Sequence, residues 1–522
     1  MRGSKDRYYL YFAVFSSGMT TLAVELTASR LLGNIFGTSN LVWASIIGLI
    51  LIYLTAGYFL GGWWADRSPR KRTMYLIMAW GAFLIGLVPL VANPVLKFAA
   101  NAFDGLQVGI LFGAFTGVLV LFSIPVILLG TVSPFAIRLL IGTADEAGRV
   151  SGRVYAISTI GSFIGTFLPV LVLIPVIGTT KTFIFFSEFL MIVALVGIWL
   201  SSGVKATLRW IWMPILILLL AVLGLGSGVK STPGQVYETE SGYNYIQVLE
   251  VGDYRYLRLN EGQGIHSAYH PTEINYYGPW KQFLAAPFFN QPSFSPEDIQ
   301  NVAIVGLAAG TSARQLSEVF GPIPIDGFEI DGKIIEVGRN LFDMNQPNLN
   351  AVAQDGRWGL AHSSGDYDLI ILDAYRPPYI PWHLTTVEFF ELVRDRLTNQ
   401  GAVGINVGRA PDDRRLISGI VSTLKQVFPS VYVIDVPETF NSIVYATKQT
   451  TKEENLFINL FELSDRGDVH PLLIESLQVT ALNLQPDPEP GIIFTDDLAP
   501  IEWLTNNMVL RFMLYGDMEV LQ

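Results

Sequence analysis

Asn301-Val302-Ala303-Ile304-Val305-Gly306-Leu307-Ala308-Ala309-Gly310 is a short apolar run that breaks into a turn bounded by two glycines. A run of this kind suits a strand buried on both faces. Thr311–Phe320 follows with helical spacing, and Ile325–Ile330 returns to a strand pattern. Lys333–Leu341 reads as a helix, Tyr367–Asp373 as a strand, Thr385–Leu397 as a helix and Ala402–Val407 as a strand. Leu416–Val427 is a further helix candidate, with strands at Val431–Val436 and Ser442–Thr447. Strands alternating with helices of this length predict a doubly wound, mostly parallel α/β sheet. Such sheets bind ligands at the carboxyl ends of their strands.

The residues at those ends carry chemistry. Small residues in Gly306–Gly310 let the backbone approach a ligand, and the following helix N-terminus favours negative charge. A tight turn between strand and helix also wants glycine, so this loop alone decides nothing. Glu329 ends the second strand, nineteen residues after Gly310, where a carboxylate can accept both hydroxyl protons of a ribose. Asp355-Gly356 follows the next strand, in position to meet an adenine edge, and Asp373 ends the fourth. The plainer reading is a row of solvated acids; the ordered set favours a crevice for an adenosyl-type ligand.

The 522 residues divide into a helical region at 1–228, a linker with a small β-sheet at 229–290 and the α/β domain at 291–522. The small sheet is expected from Gln235–Glu240, Tyr243–Val251 and Tyr254–Asn260, with Gly252-Asp253 turning the last two. Hydrophobic residues make up 51% of the chain and charged residues 15%, against roughly a quarter in soluble proteins, and the mean hydropathy is +0.41. Seven apolar stretches are long enough to span a bilayer: 8–29, 41–64, 73–92, 107–130, 154–177, 180–200 and 209–228. The fourth can continue past Pro125 and Pro134 to Leu140. A net charge of -11, concentrated after the helices, argues against nucleic acid. No cysteine is present, and the five histidines lack ligand spacing, so no metal site is expected.

Lys5, Arg7, Arg67, Arg70, Lys71, Arg72, Arg149, Arg153, Lys205 and Arg209 fall on one side of the seven stretches, which predicts a cytoplasmic N-terminus. Gly61–Arg72 resembles the loop between the second and third helices of major facilitator transporters, which is cytoplasmic in that family. Seven spans from an inside start put the C-terminal domain on the far side. Either the count differs by one or that domain works away from the cytosol. Gly57, Gly61, Gly62, Gly161 and Gly165 are read as helix-packing positions. Glu25, Arg30 and Glu188 within the apolar stretches suit either structural pairing or a substrate path.

The C-terminal region resembles the spermidine synthase (polyamine aminopropyltransferase) family in its membrane-fused form, over about residues 235–505. Ser241-Gly242-Tyr243-Asn244 stands for the family's Ser-x-Tyr-Gln element, and Gly306–Gly310 for its Gly-Gly-Gly-Asp-Gly loop. Phe328-Glu329-Ile330-Asp331 matches its ribose-binding segment, Asp355-Gly356 its adenine-side pair, and Asp373 in Leu372–Pro377 its catalytic aspartate. Leu384–Phe390 and Thr495–Pro500 also resemble family segments. The resemblance implies a Rossmann-like, methyltransferase-type domain whose donor-binding residues are Asn244, Gly306, Ala308, Gly310, Glu329, Asp331, Asp355 and Gly356. Asp373 is the implied base, because an amine of pKa about 10 must lose a proton before it attacks a sulfonium carbon. Two family acids are replaced, by Ala309 in the loop and by Arg376 in the catalytic segment, and Tyr276-Tyr277-Gly278 stands loosely for a Tyr-x-Glu element. Tyr276, Tyr277 and Arg376 are therefore the expected residues of an altered acceptor site.

The expected function is a membrane-bound transferase of polyamine biosynthesis. It moves a group from decarboxylated S-adenosylmethionine, or from S-adenosylmethionine itself, to an amine acceptor, without a metal. The alternatives are an S-adenosylmethionine-dependent methyltransferase, or a transporter or sensor of polyamines or adenosyl compounds with a non-catalytic soluble domain. The expected partners are the lipid bilayer and a small amine or polyamine, with a homodimer allowed. The expected location is the cell membrane, multi-pass. The acceptor and the side of the soluble domain stay open.

Overall fold

A computed structural model describes residues 2–36, 40–104, 109–224, 232–260, 264–375, 380–410 and 413–515. The chain forms two compact units, Met1–Thr232 with Glu238–Tyr245, and Pro233–Tyr237 with Ile246–Gln522.

The first unit is helical. Among the described residues, seven helices are long and apolar enough to cross a membrane: Asp6–Gly33, Trp43–Arg67, Lys71–Ala92, Phe115–Leu140, Ala144–Ile177, Thr179–Ser202 and Val204–Leu223. At 1.5 Å rise per residue, about 20 residues cover the ~30 Å hydrocarbon core. The fourth continues past Pro125 as the sequence suggests, with a break at Thr131. The fifth loosens into a π-turn at Pro169–Leu173, where prolines remove backbone donors.

Glycines set the helix crossings. A Cβ on Gly161 would lie 2.1 Å from the Phe15 carbonyl oxygen, and one on Gly165 2.0 Å from that of Met19. From the other side, Gly18 faces the Ser158 carbonyl in the same way at 2.4 Å, and Ser162 Oγ donates to the Gly18 carbonyl at 3.2 Å. A Cβ on Gly57 would lie 2.4 Å from the Ile127 carbonyl oxygen and one on Gly61 2.6 Å from Thr131 Cα, whereas nothing lies within 4 Å of a Cβ on Gly62. Arg30 donates to the carbonyls of Ser241 and Tyr243, at 2.7 and 2.8 Å.

The second unit is α/β. A four-stranded sheet runs in the order β1 (Gln235–Glu240), β2 (Tyr245–Val251), β3 (Tyr254–Leu259), β4 (Ser267–Tyr269), with the β2–β3 hairpin turned at Gly252-Asp253. The larger sheet has eight strands: β5 (Val302–Val305), β6 (Ile325–Glu329), β7 (Leu349–Ala353), β8 (Tyr367–Leu372), β9 (Leu397–Gly408), β10 (Ser430–Asp435), β11 (Asn441–Thr447) and β12 (Leu484–Gln485). Their order is β12-β10-β11-β9-β8-β5-β6-β7.

The expectation of a mostly parallel sheet needs correction. β7, β6, β5, β8 and β9 are parallel neighbours, but β11 joins β9 antiparallel, β10 joins β11 antiparallel, and β12 joins β10 antiparallel. Only Val436–Phe440 connects β10 to β11, too short for the crossover that a parallel pair requires. The sheet is therefore mixed.

Alternation along each central strand fills a core on both faces. Ala303 and Val305 join Ile370, Leu372, Val403 and Ile405 on one face, under Phe389, Ile417 and Ile420. Val302 and Ile304 join Leu369 and Ile371 on the other, against the buried 3₁₀ segment Trp280–Phe289. Helices Glu453–Ser464 and Pro471–Leu482, which the sequence reading did not include, close that second face with Leu456, Leu463, Leu473 and Leu477.

Candidate functional site

The chain leaves β5 to build β6 and β7 on one side, then returns to place β8 and β9 on the other. The reversal falls at the carboxyl ends of β5 and β8, where doubly wound sheets hold their ligands. Gly306 follows β5 with φ +90°, and its N–H donates to the Phe328 carbonyl at 2.9 Å. Ala308 takes φ +49° and Gly310 φ +86°, so the loop curls tightly before helix Thr311–Phe320 begins. Ala309, where the family has an acid, is buried; its N–H donates to Ser267 Oγ at 2.9 Å, and its methyl packs with Ile334 and Val337.

Glu329 closes β6 beside this loop. One carboxylate oxygen accepts the Ala308 N–H at 3.0 Å and the other the Asp331 N–H at 3.1 Å. Burial pushes the Glu329 carboxyl up to about 7, against the pull of those backbone donors. Asp331 is buried and caps helix Gly332–Leu341, its Oδ1 accepting the Lys333 N–H at 3.0 Å. Gln354 N–H donates to the Glu329 carbonyl at 2.9 Å, which brings the end of β7 alongside.

Asp355 then caps helix Gly356–His362 through the Trp358 N–H at 3.0 Å, while its other oxygen lies 3.0 Å from His383 Nε2. Gly356 packs over Val305, where a Cβ would meet Cγ1 at 2.3 Å. Arg357 grips both oxygens of Asp496 at 2.7 Å and donates to the His383 carbonyl at 3.2 Å. Thr386 Oγ1 donates to Asp496 at 2.7 Å, and Glu388 accepts the Asp496 N–H at 3.0 Å. The Arg357 hydrogen bond holds the Asp496 carboxyl below the usual carboxylate range. The two distant segments singled out in the sequence, Leu384–Phe390 and Thr495–Pro500, thus meet behind Asp355.

Asp373 follows β8, its N–H bonded to the Val305 carbonyl at 2.9 Å. Its Oδ1 accepts Asn406 Nδ2 from β9 at 2.8 Å, and Asn406 Oδ1 in turn accepts Asn441 Nδ2 from β11 at 2.8 Å. Asp373 is half-buried, and its dense surroundings push its carboxyl up to about 7, with the Asn406 bond opposing. Burial, with a smaller push from Asp373, also raises the Tyr375 phenol.

The structure therefore gathers Gly306, Ala308, Gly310, Glu329, Asp331, Asp355, Gly356 and Asp373 around the ends of four adjacent strands. Asn244 is placed differently. It is buried in the turn that groups with the helical unit, its N–H donating to Ser241 Oγ at 2.9 Å. Tyr276 is buried with Ala268 and Trp280, whereas Tyr277 is exposed and its hydroxyl donates to the Glu438 carbonyl. Arg376 lies outside the described residues. Arg357, His383, Asn406 and Asn441 were not legible as site residues. The available signal was a polar residue, Asn406, inside the apolar run Ala402–Val407.

Residues 288–459 match the spermine/spermidine synthase domain family. That match falls within the C-terminal part of the chain, and the relatives it resembles there are named as aminopropyl transferases. The chain is 31% identical to a probable polyamine aminopropyl transferase of Bifidobacterium longum, over 51% of this chain and 61% of that protein. It is 25% identical to a polyamine aminopropyltransferase of Vibrio vulnificus, over 52% of this chain and 91% of that one. A probable spermidine synthase from Corynebacterium glutamicum aligns in three dimensions with a TM-score of 0.38 at 20% identity, covering 46% of this chain and 89% of that structure.

Proposed function

We propose that the C-terminal domain transfers an aminopropyl group from decarboxylated S-adenosylmethionine to an amine, with Asp373 as the general base. The carrying observation is a carboxyl that burial holds near neutrality at the carboxyl end of β8, directly against the Gly306 turn. A base of that strength accepts a proton from an ammonium and is about half ionised at neutral pH. The amine gives its proton to Asp373, its lone pair bonds the carbon next to the sulfonium, and the carbon–sulfur pair returns to sulfur. Methylthioadenosine leaves as a neutral thioether. Glu329 suits the ribose hydroxyls, because each of its oxygens already carries one backbone donor and keeps acceptor capacity for another.

The acceptor site departs from a diamine site. Ala309 puts a methyl where the family has a carboxylate, and Arg376 adds a cation to the catalytic segment. We read the acceptor as an amine whose second group is not a bare ammonium. The seven apolar helices support a multi-pass protein of the cell membrane with a cytoplasmic N-terminus.

The test is to incubate the detergent-purified full chain with decarboxylated S-adenosylmethionine and a panel of amines, and to measure methylthioadenosine by chromatography. No methylthioadenosine with any amine defeats the proposal. Methyl transfer from S-adenosylmethionine would instead move the domain to the methyltransferase class.

A further inference from the structure

Two amides, buried Asn406 and half-buried Asn441, run away from Asp373 across the sheet. Asn406 is almost fully buried on β9. A buried carboxamide must satisfy both of its ends. Its Nδ2 faces the Asp373 carboxylate, and its Oδ1 faces the Nδ2 of Asn441, each at 2.8 Å. Turning Asn406 over would set oxygen against the carboxylate and NH2 against NH2.

The Asn441 backbone is held in the sheet and the turn before it. It opens β11 opposite Gly408, and its N–H donates to Thr439 Oγ1 at 3.1 Å. Thr439 Oγ1 donates to the Val436 carbonyl at 3.0 Å, and Arg409 donates to the Thr439 carbonyl at 3.0 Å. Tyr277 reaches the same turn through the Glu438 carbonyl, and Glu438 adopts φ +57°.

We propose that Asn441 and Asn406 are positioning residues for Asp373, with Asn441 dictating that Asn406 presents a donor and not an acceptor to the carboxylate. The proposal rests on Asp373 being the base. A donor at that place favours the ionised, proton-accepting form and leaves Oδ2, which accepts no hydrogen bond among the described residues, for the incoming ammonium. Tyr375, on the same segment, is the titratable neighbour of Asp373 among the described residues. Gly306 on the β5 side and Gly408 under the Tyr375 hydroxyl bring no charge. The chain is thus a hydrogen-bonded wire whose polarity is set at its far end.

The experiment follows protonation of Asp373 by infrared difference spectra of the full chain at stepped pH, reading the protonated-carboxyl band that Asp373→Asn removes. Asn441→Asp gives the far end an acceptor, so Asn406 turns over and the band midpoint rises by about one unit or more. Asn441→Ala removes the control without reversing it and gives a smaller rise; it carries the test if Asn441→Asp does not fold. In active samples the pH profile of kcat moves with the midpoint while the donor KM stays put. A midpoint unmoved in the folded variants overturns the proposal. Methylthioadenosine is measured in the same wild-type samples. Its absence would sink the transferase reading alone, and the infrared shift would still be tested.

Discussion

Gly306 and Ala374 cross so closely that a Cβ on the glycine would lie 2.4 Å from the Ala374 backbone nitrogen. The glycine also holds φ +90°, a conformation that side chains resist. Both constraints act on the turn that follows β5. Gly306→Ala is expected to destabilise the α/β unit by about 2–4 kcal/mol. The check is a lower Tm with loss of calorimetric binding to methylthioadenosine; wild-type values for both would show that the turn can relax freely.

The two raised carboxyls fix the direction of a pH effect. Asp373 and Glu329 titrate near 7 in the folded chain and near ordinary carboxylate values when unfolded. Between those values the folded chain binds more protons, so stability falls as pH rises from about 4 to about 7 and then levels. Thermal melts between pH 5 and 8 should show a declining Tm, with a shallower decline in Glu329→Gln. Turnover should run the other way, rising with pH through about 7 as Asp373 ionises.

Among the described residues, the Arg357 guanidinium hydrogen-bonds Asp496 and the His383 carbonyl, behind Asp355. Arg357→Ala should loosen the Asp355 turn without altering Asp373. The expected result is a donor KM raised several-fold, with kcat changed by less than about twofold. A fall in kcat alone would mean that the Asp496 network serves the acceptor side.

The absence of cysteine makes membrane topology directly measurable. Ser68→Cys should react with an impermeant maleimide only from the cytoplasmic side, and Lys181→Cys only from the opposite side. Glu462→Cys reports the α/β unit. If all seven helices cross, it reacts from the side opposite Ser68→Cys; labelling from the cytoplasmic side would mean that one helix does not cross.

What the sequence revealed and what it hid have a common cause. Gly306, Glu329, Asp355 and Asp373 were legible because each ends a strand, and a strand end can be located from a local apolar run. Asn406 and Asn441 were not, because their partnership depends on the β9–β11 register, with Asn441 opposite Gly408. Register between strands 35 residues apart leaves no local mark. The antiparallel edge was more accessible, since the five residues Val436–Phe440 already forbid a crossover. Arg357 and His383 were hidden for a different reason: Arg357 acts through Asp496, over a hundred residues away, and His383 through Asp355, 28 residues away across a loop.

The seam between the first and fifth apolar helices has a mechanical meaning. Carbonyls of Phe15 and Met19 sit in the notches of Gly161 and Gly165, and the Ser158 carbonyl sits in that of Gly18. Teeth engaged from both sides resist sliding along the axis, since any shift drives an oxygen into a neighbouring turn. Such a seam ties these two helices into one beam that resists axial slip.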